Sequence, residues 1–521
     1  MLSTARRVLV LLAVLVILAP VLAGVILECH RSDLRGFHDG DYTVIELYTW
    51  RATEGKQLLG PYSRFCWHHP GPGYFYLLAP FYALSGNESY SLYIGAAVLN
   101  LAASVAVVAA IFHWLRSGAA RALHLLGLGV YLSTIGRGPM VFGEIWNPPV
   151  TLLPFLAFCY LSAAWASGKM QWLPGVVSLG SLLIQTHVGY LSIVLPVLIV
   201  CLVLSWRHRP RDGGKGLRNA LLLSLLALAL FWFLPLLEEL RPGPGNLSQV
   251  ASSVLAGGGE RDWREAADAA SLHLTHPVRI FLGAASYGAF VHCDTPSLRL
   301  LIAAAQLVLL VWALWRYRSM RSCYQAALCV VAITGHIMAY LYTLRLPGPL
   351  FPYLMWWMEV PGALSWPLVL AAARARSDAP LGRWLGRILI GAGVIVVVFL
   401  TARQVTRSFD AYMHGEEQFA GRGASRVHTF LDALQQYLVE NAIERPLLAS
   451  AGRSAEMAGV VLQLAKRGVP IVIREDLAHI FGDGFDYAET APVEVWFGYD
   501  VPPGAQVITR EQDVIMAAVL H

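Results

Sequence analysis

Charge is what this chain has least of. Asp, Glu, Lys and Arg make up 14% of its 521 residues, against about 25% in a soluble globular protein. The deficit, with 56% hydrophobic residues and a mean hydropathy of +0.54, excludes an ordinary soluble fold. The net charge of +5 is modest and no dense basic stripe stands outside the loops, which excludes nucleic acid as the main partner. None of the seven cysteines forms a CxxC pair, so zinc-ribbon and thioredoxin-type readings fall away. No internal repeat is visible, and apart from His336 few ionisable residues fall mid-span. Both absences weigh against a transporter built from repeated halves.

Long apolar runs are abundant. The first, residues 8–27, follows Arg6 and Arg7. It exceeds the ~7–15 residues of a cleaved signal-peptide core and is long enough to span, so it reads as an uncleaved signal-anchor helix. Ten further spans are predicted near 90–115, 123–135, 149–166, 173–185, 188–206, 220–237, 298–315, 323–344, 353–372 and 388–401. Lys and Arg collect on the cytoplasmic side of membrane proteins. With the N-terminus inside, the alternating count places the basic segments 116–121, 207–218, 316–321 and 374–387 and the turn at Lys169 inside as well. Merging residues 173–206 into one span would invert every later loop, so the charge pattern favours two, with His187 at their outer turn.

The expected architecture is an all-α polytopic membrane domain of about eleven transmembrane helices, residues 1–403, followed by a small extracytoplasmic α/β domain, residues 404–521. Residues 29–89 form the first outside loop, in which the aromatic run 74–84 is too short to span and reads as an interfacial helix. In the tail, helices are expected over 425–440 and 455–466, with strands near 446–450, 469–473, 493–497 and 506–508. No Gly-rich phosphate loop follows its first strand, so packing, acceptor binding or docking suits this domain better than catalysis.

The outside segments hold most of the acids, histidines and prolines, so any site is expected to face outward. The first loop carries Asp39 and Asp41 around Gly40, then Glu46, Tyr62, Arg64, Trp67, His68 and His69 amid Gly-Pro and Pro-Gly-Pro clusters that force a rigid path back to the membrane. Asp-Gly is also ordinary turn chemistry. The second carries Arg137, Glu144, Trp146 and Asn147; Glu144 also fits a solvated interfacial acid. His187 and His336 fit histidines hydrogen-bonded between helices, and Glu238, Glu239 and Arg241 fit helix-end charges. Cys29, Cys66 and Cys293 fall outside, where an oxidising compartment permits a disulfide between two of them.

This layout resembles the type-C glycosyltransferases, which include the protein O-mannosyltransferases and the lipid A aminoarabinose transferases. The residues that carry the likeness are Gly40-Asp41-Tyr42, Gly60-Pro61-Tyr62-Ser63-Arg64-Phe65, His69-Pro70-Gly71-Pro72, Trp146-Asn147-Pro148 and Gln185-Thr186-His187-Val188-Gly189-Tyr190. Many members have two adjacent acids in the first loop; here Gly40 separates Asp39 from Asp41. The resemblance implies transfer of a sugar from a polyprenyl-phosphate donor to an envelope glycan, lipid or protein, on the outer face of the cell's inner (plasma) membrane. It implies Asp41 as general base, with Asp39 or Glu144 as the second acid. Arg64, His68, His69, Arg137 and His187 are then the candidates for the donor phosphate. Tyr62, Trp67, Trp146, Asn147 and Tyr190 are the candidates to bind the sugar or shape the site. A divalent metal on Asp41, Glu144 and a histidine is compatible with these residues, though nothing in their spacing requires one. Two other classes stay open: a transporter or flippase of a lipid-linked or small solute, and a non-catalytic envelope-assembly scaffold.

Overall fold

In the computed structural model, which describes residues 4–30, 38–135, 141–208, 214–256, 261–281, 295–375, 380–414, 421–451, 455–482 and 484–521, every predicted apolar run is a helix. Lipid offers no hydrogen bonds, so a spanning segment must satisfy its backbone internally. In chain order the helices are α1 (Thr4–His30), α2 (Gly40–Thr53), α3 (Gly73–Leu84), α4 (Tyr90–Trp114), α5 (Gly118–Thr134), α6 (Asn147–Val150), α7 (Leu152–Ala166), α8 (Leu173–Thr186), α9 (Leu191–His208), α10 (Gly214–Glu239), α11 (Asn246–Leu255), α12 (Trp263–Leu274), α13 (His276–Phe281), α14 (Pro296–Ser319), α15 (Cys323–Arg345), α16 (Glu359–Arg374), α17 (Pro380–His414), α18 (Gly421–Glu440), α19 (Ala455–Lys466) and α20 (Ala478–Phe481).

Among the described residues, eight helices are long and apolar enough to cross a membrane, in α1, α4, α9, α10, α14, α15, α17 and the continuous α6–α7 stretch. The chain is a multi-pass membrane protein. The other three expected spans are the shorter helices α5, α8 and α16, of 17, 14 and 16 residues. Residues 173–206 are two helices, as the charge pattern requires, broken by a 3-10 turn at Val188–Tyr190. Helix α7 is apolar on every side and buried along its whole length, so it stands at the bundle centre against α4, α8, α9 and α15. Helices α10, α14 and α17 turn most of their apolar surface outward, as lipid-facing helices do.

The tail folds as expected, around one six-stranded sheet of β1 (Leu447–Ala451), β2 (Val472–Arg474), β3 (Asp486–Ala488), β4 (Val493–Gly498), β5 (Gln506–Glu511) and β6 (Val514–Leu520). The strand order is β3-β2-β1-β4-β6-β5. The first four strands pair in parallel, and β6 runs antiparallel between β4 and β5. β3 and β6 are additions to the expected set. Apolar residues of α2 and α3, including Val44, Tyr48 and Phe75, share one buried cluster with Phe430 of α18, Met457 of α19 and Phe497 of β4. The core of the C-terminal domain is therefore continuous with the packing of α2 and α3. Cys29 and Cys66 are both free and exposed, while Cys293 lies outside the described residues.

Candidate active site

Asp41 stands in the first turn of α2. One oxygen of its carboxylate accepts a hydrogen bond from the Tyr62 hydroxyl, and the other from the Trp146 indole N–H at 3.0 Å. Tyr62 is delivered by the proline-rich return path. There the Pro61 carbonyl accepts from His69 N–H at 2.7 Å, and Tyr62 pairs with His68 across a short antiparallel bridge. Trp146 precedes α6, and its ring lies 5.1 Å from Tyr353 and 5.8 Å from Trp356.

Trp146 also touches a second acid, since its backbone N–H donates to Glu144 at 3.1 Å. Burial pushes the Glu144 carboxyl up, against hydrogen bonds from the Trp146 backbone and the Tyr42 hydroxyl. Asp39 lies elsewhere. Its carboxyl is pushed up by burial and then by Glu456, against the attraction of His38 and Arg426, so most of its charged neighbours belong to α18 and α19.

Two histidines converge from different segments. His69 Nδ1 accepts from the Val188 N–H at 3.1 Å and His187 Nδ1 from the Gly189 N–H at 3.2 Å, with the rings 4.9 Å apart. An imidazole whose Nδ1 accepts carries its proton on Nε2. Burial drives His69 well below the ordinary histidine range and His187 down to about 4. Both are neutral donors at neutral pH. Glycine at 189 is what lets this corner close: a Cβ there would stand 2.8 Å from the His187 ring and 2.9 Å from the Tyr342 hydroxyl. His68 is held by its backbone, whose N–H donates to Asn246 Oδ1 at 2.7 Å while its carbonyl accepts from Asn246 Nδ2 at 3.0 Å. Glu238 and Glu239 accept from the first backbone N–H groups of α11, at 3.0 Å from Asn246 and 2.8 Å from Leu247, and so act as helix-end caps.

A cavity of about 530 Å³ opens beside these groups. Eight of the residues singled out from the sequence line it: Asp41, Tyr62, Arg64, Trp67, His69, Trp146, Asn147 and His187. Asp39, Glu144, His68 and Tyr190 do not, and Arg137 lies outside the described residues. The Arg64 guanidinium is sandwiched between the rings of Phe65 and Phe351, 4.9 and 4.6 Å from their centroids. Tyr353, beside it, is pushed up by burial and by Asp41 and drawn down by Arg64, so the acid and the cation act on one phenol. Much of the remaining lining is apolar, with Leu191 of α9, Val254 of α11, and Met338 and Leu341 of α15. Leu341 is 42% exposed.

The whole architecture matches the crystal structure of ArnT from Cupriavidus metallidurans bound to undecaprenyl phosphate. The TM-score is 0.54 at 13% identity, over 99% of this chain and 98% of that one. The two chains share a fold. The Archaeoglobus fulgidus oligosaccharyltransferase is also similar, in its apo form (TM-score 0.43, 11% identity, 86% of this chain, 63% of that one) and complexed with zinc and sulfate (0.44, 11%, 86%, 61%). No protein-family model and no curated protein matches by sequence.

On this fold the cavity gains residues that sequence reasoning did not select: Tyr48, Tyr342, Arg345 and Tyr353. Arg345 carried a signal, as the first cation after the predicted span 323–344, just before the turn Pro347-Gly348-Pro349. Among the described residues no three His, Cys, Asp or Glu side chains are grouped so as to hold a metal ion.

Proposed function

We propose that the protein is a membrane glycosyltransferase that moves a sugar from a polyprenyl-phosphate donor to an acceptor outside the cytoplasm. The observation that carries this reading is one cavity. It is lined by the Asp41 carboxylate, by Arg64 and Arg345, and by apolar residues of α9 and α15, in a fold shared with ArnT bound to undecaprenyl phosphate. The polyprenyl chain would lie along the α9 and α15 wall, with its phosphate at the level of Arg64 and Arg345.

Asp41 is the base in this scheme. Tyr62 and Trp146 occupy one lone pair on each oxygen, and an ionised carboxylate has about four such sites. The acceptor hydroxyl gives its proton to Asp41 as its oxygen bonds to the sugar C1. The bond from C1 to the phosphate oxygen breaks on the opposite face, its electron pair leaving on the polyprenyl phosphate, and the anomeric centre inverts. Negative charge grows on the phosphate, where the Arg64 and Arg345 guanidinium groups match its oxygens in pairs. The neutral Nε2–H groups of His69 and His187 add donors that bring no competing positive charge to Asp41. Glu144 acts through Trp146, as a brace for the indole that orients Asp41. The N-terminus would be cytoplasmic and the C-terminal domain outside.

The test is sugar transfer by purified protein in liposomes, with a panel of polyprenyl-phosphate sugars and a water-hydrolysis readout, for wild type and Asp41→Asn. Wild-type turnover that Asp41→Asn abolishes supports enzyme and base together. Turnover that survives the substitution keeps the enzyme and moves the base to Glu144 or Asp39. No turnover with any donor, alongside radiolabelled solute uptake by the same vesicles, would replace this reading with a transporter.

A further inference from the structure

Glu46 is fully buried, yet it is an acid. It lies on α2 five residues after Asp41, which at about 100° per residue puts it roughly 140° around the helix from the cavity face. Four side chains converge on its carboxylate: His38 Nδ1 at 2.7 Å, Lys466 Nζ at 2.6 Å, and the hydroxyls of Tyr82 and Ser89, each at 2.8 Å. Burial alone would push the Glu46 carboxyl up; His38 and then Lys466, by charge and hydrogen bonding, bring it down to about 2. It is therefore an anion held out of water, which is tolerated only where counter-charge and donors surround it. Lys466 ends α19, in the C-terminal domain, and also donates to the Asn87 carbonyl at 3.2 Å.

The same domain grips α2 at both ends. At the start, the α19 backbone abuts the His38 carbonyl so closely that a Cβ on Gly459 would stand 2.6 Å from that oxygen. At the finish, the Tyr48 hydroxyl donates to the Ile480 carbonyl, and Arg51 donates to the Phe481 carbonyl at 3.4 Å.

We infer that the C-terminal domain is a positioning element of the active site: Lys466 neutralises Glu46 on the buried face of α2 and so holds Asp41, on the opposite face, in the cavity. The inference rests on the reading of Asp41 as the base. Its direct consequence, immobilisation of α2, stands without it. Glu46 and Lys466 touch no substrate; both act through the helix.

The experiment is hydrogen exchange of α2 together with steady-state transfer, on full-length protein in nanodiscs, for Lys466→Met, Lys466→Arg and the double variant Glu46→Gln/Lys466→Met. In Lys466→Met, exchange over residues 40–53 is expected to rise about tenfold or more, with the bundle helices unchanged. The kcat should fall about 10- to 100-fold with KM within about twofold, the signature of a displaced group rather than a lost binding contact. Lys466→Arg should restore both. The double variant removes the buried carboxylate together with its lysine and should show more protection of α2 than Lys466→Met. If Lys466→Met does not fold, the double variant carries the test, and a double variant equally unfolded overturns the proposal. So does Lys466→Met with wild-type protection of α2, or with a lowered melting temperature but unchanged kcat. A wild-type protein that transfers no sugar would count against the glycosyltransferase reading, and exchange at α2 would still decide this one.

Discussion

Tyr62 and Trp146 between them fix the Asp41 carboxylate, and each can be removed singly. Tyr62→Phe deletes one donor to the ionised form, so turnover should fall by about tenfold or less with the donor KM little changed, as steady-state kinetics in liposomes would show. Removing the base itself should cost about 10²- to 10⁴-fold. Arg345→Ala should raise KM for the lipid donor and lower kcat, and Arg345→Lys should not restore them, because an ammonium cannot engage two phosphate oxygens side by side; donor titrations in liposomes check this. His187 sets a pH dependence of stability. Its folded pKa of about 4 lies below the ordinary 6.5. The folded state therefore binds fewer protons than the unfolded state between these values, and stability present above 6.5 is lost as pH falls toward 4. Thermal unfolding of His187→Asn should show a shallower loss across that window than wild type.

Helix α11 shows how an element outside the membrane reaches the site. Its first residue, Asn246, makes both hydrogen bonds to the buried His68 backbone. Asn246→Ala would leave a buried donor and acceptor unsatisfied, at about 1–3 kcal/mol for each group. The expected result is a lowered melting temperature together with a raised donor KM, as the turn that carries Trp67 and His69 loosens. Asn246 is also a lesson in legibility. The helices were readable because lipid forces long apolar runs, and α8 and α9 were separable because the basic loops alternate sides. β6 was not, since Val514–Leu520 mixes Ala and Met with Val and Ile and favours neither period; β3 is a three-residue edge strand with too little pattern to read. The first-loop half of the site could be read from its local motifs. Its other half, Arg345 and Tyr353, lies some 280 residues further along, and nothing in a single sequence says which distant turn folds against which.

At the scale of the whole molecule, orientation is the quantity to measure. Single-cysteine variants retaining the exposed Cys66 or the exposed Cys323 sit on loops expected on opposite faces. A membrane-impermeant maleimide on intact cells should modify Cys66, and should modify Cys323 only after permeabilisation. The reverse pattern would put Asp41 in the cytoplasm and remove the basis for an outward site. Glu46 and its Lys466 partner are 420 residues apart, and that separation is also a separation in time. At about 5–20 residues per second of synthesis, the first loop emerges roughly 20 to 80 seconds before the lysine that completes its charge cluster. Until then the loop is unfinished, whatever the state of the bundle beneath it. A chain that stops short of α19 would leave Glu46 without its lysine and α2 without its grip, so the last-made part of the protein would certify the first.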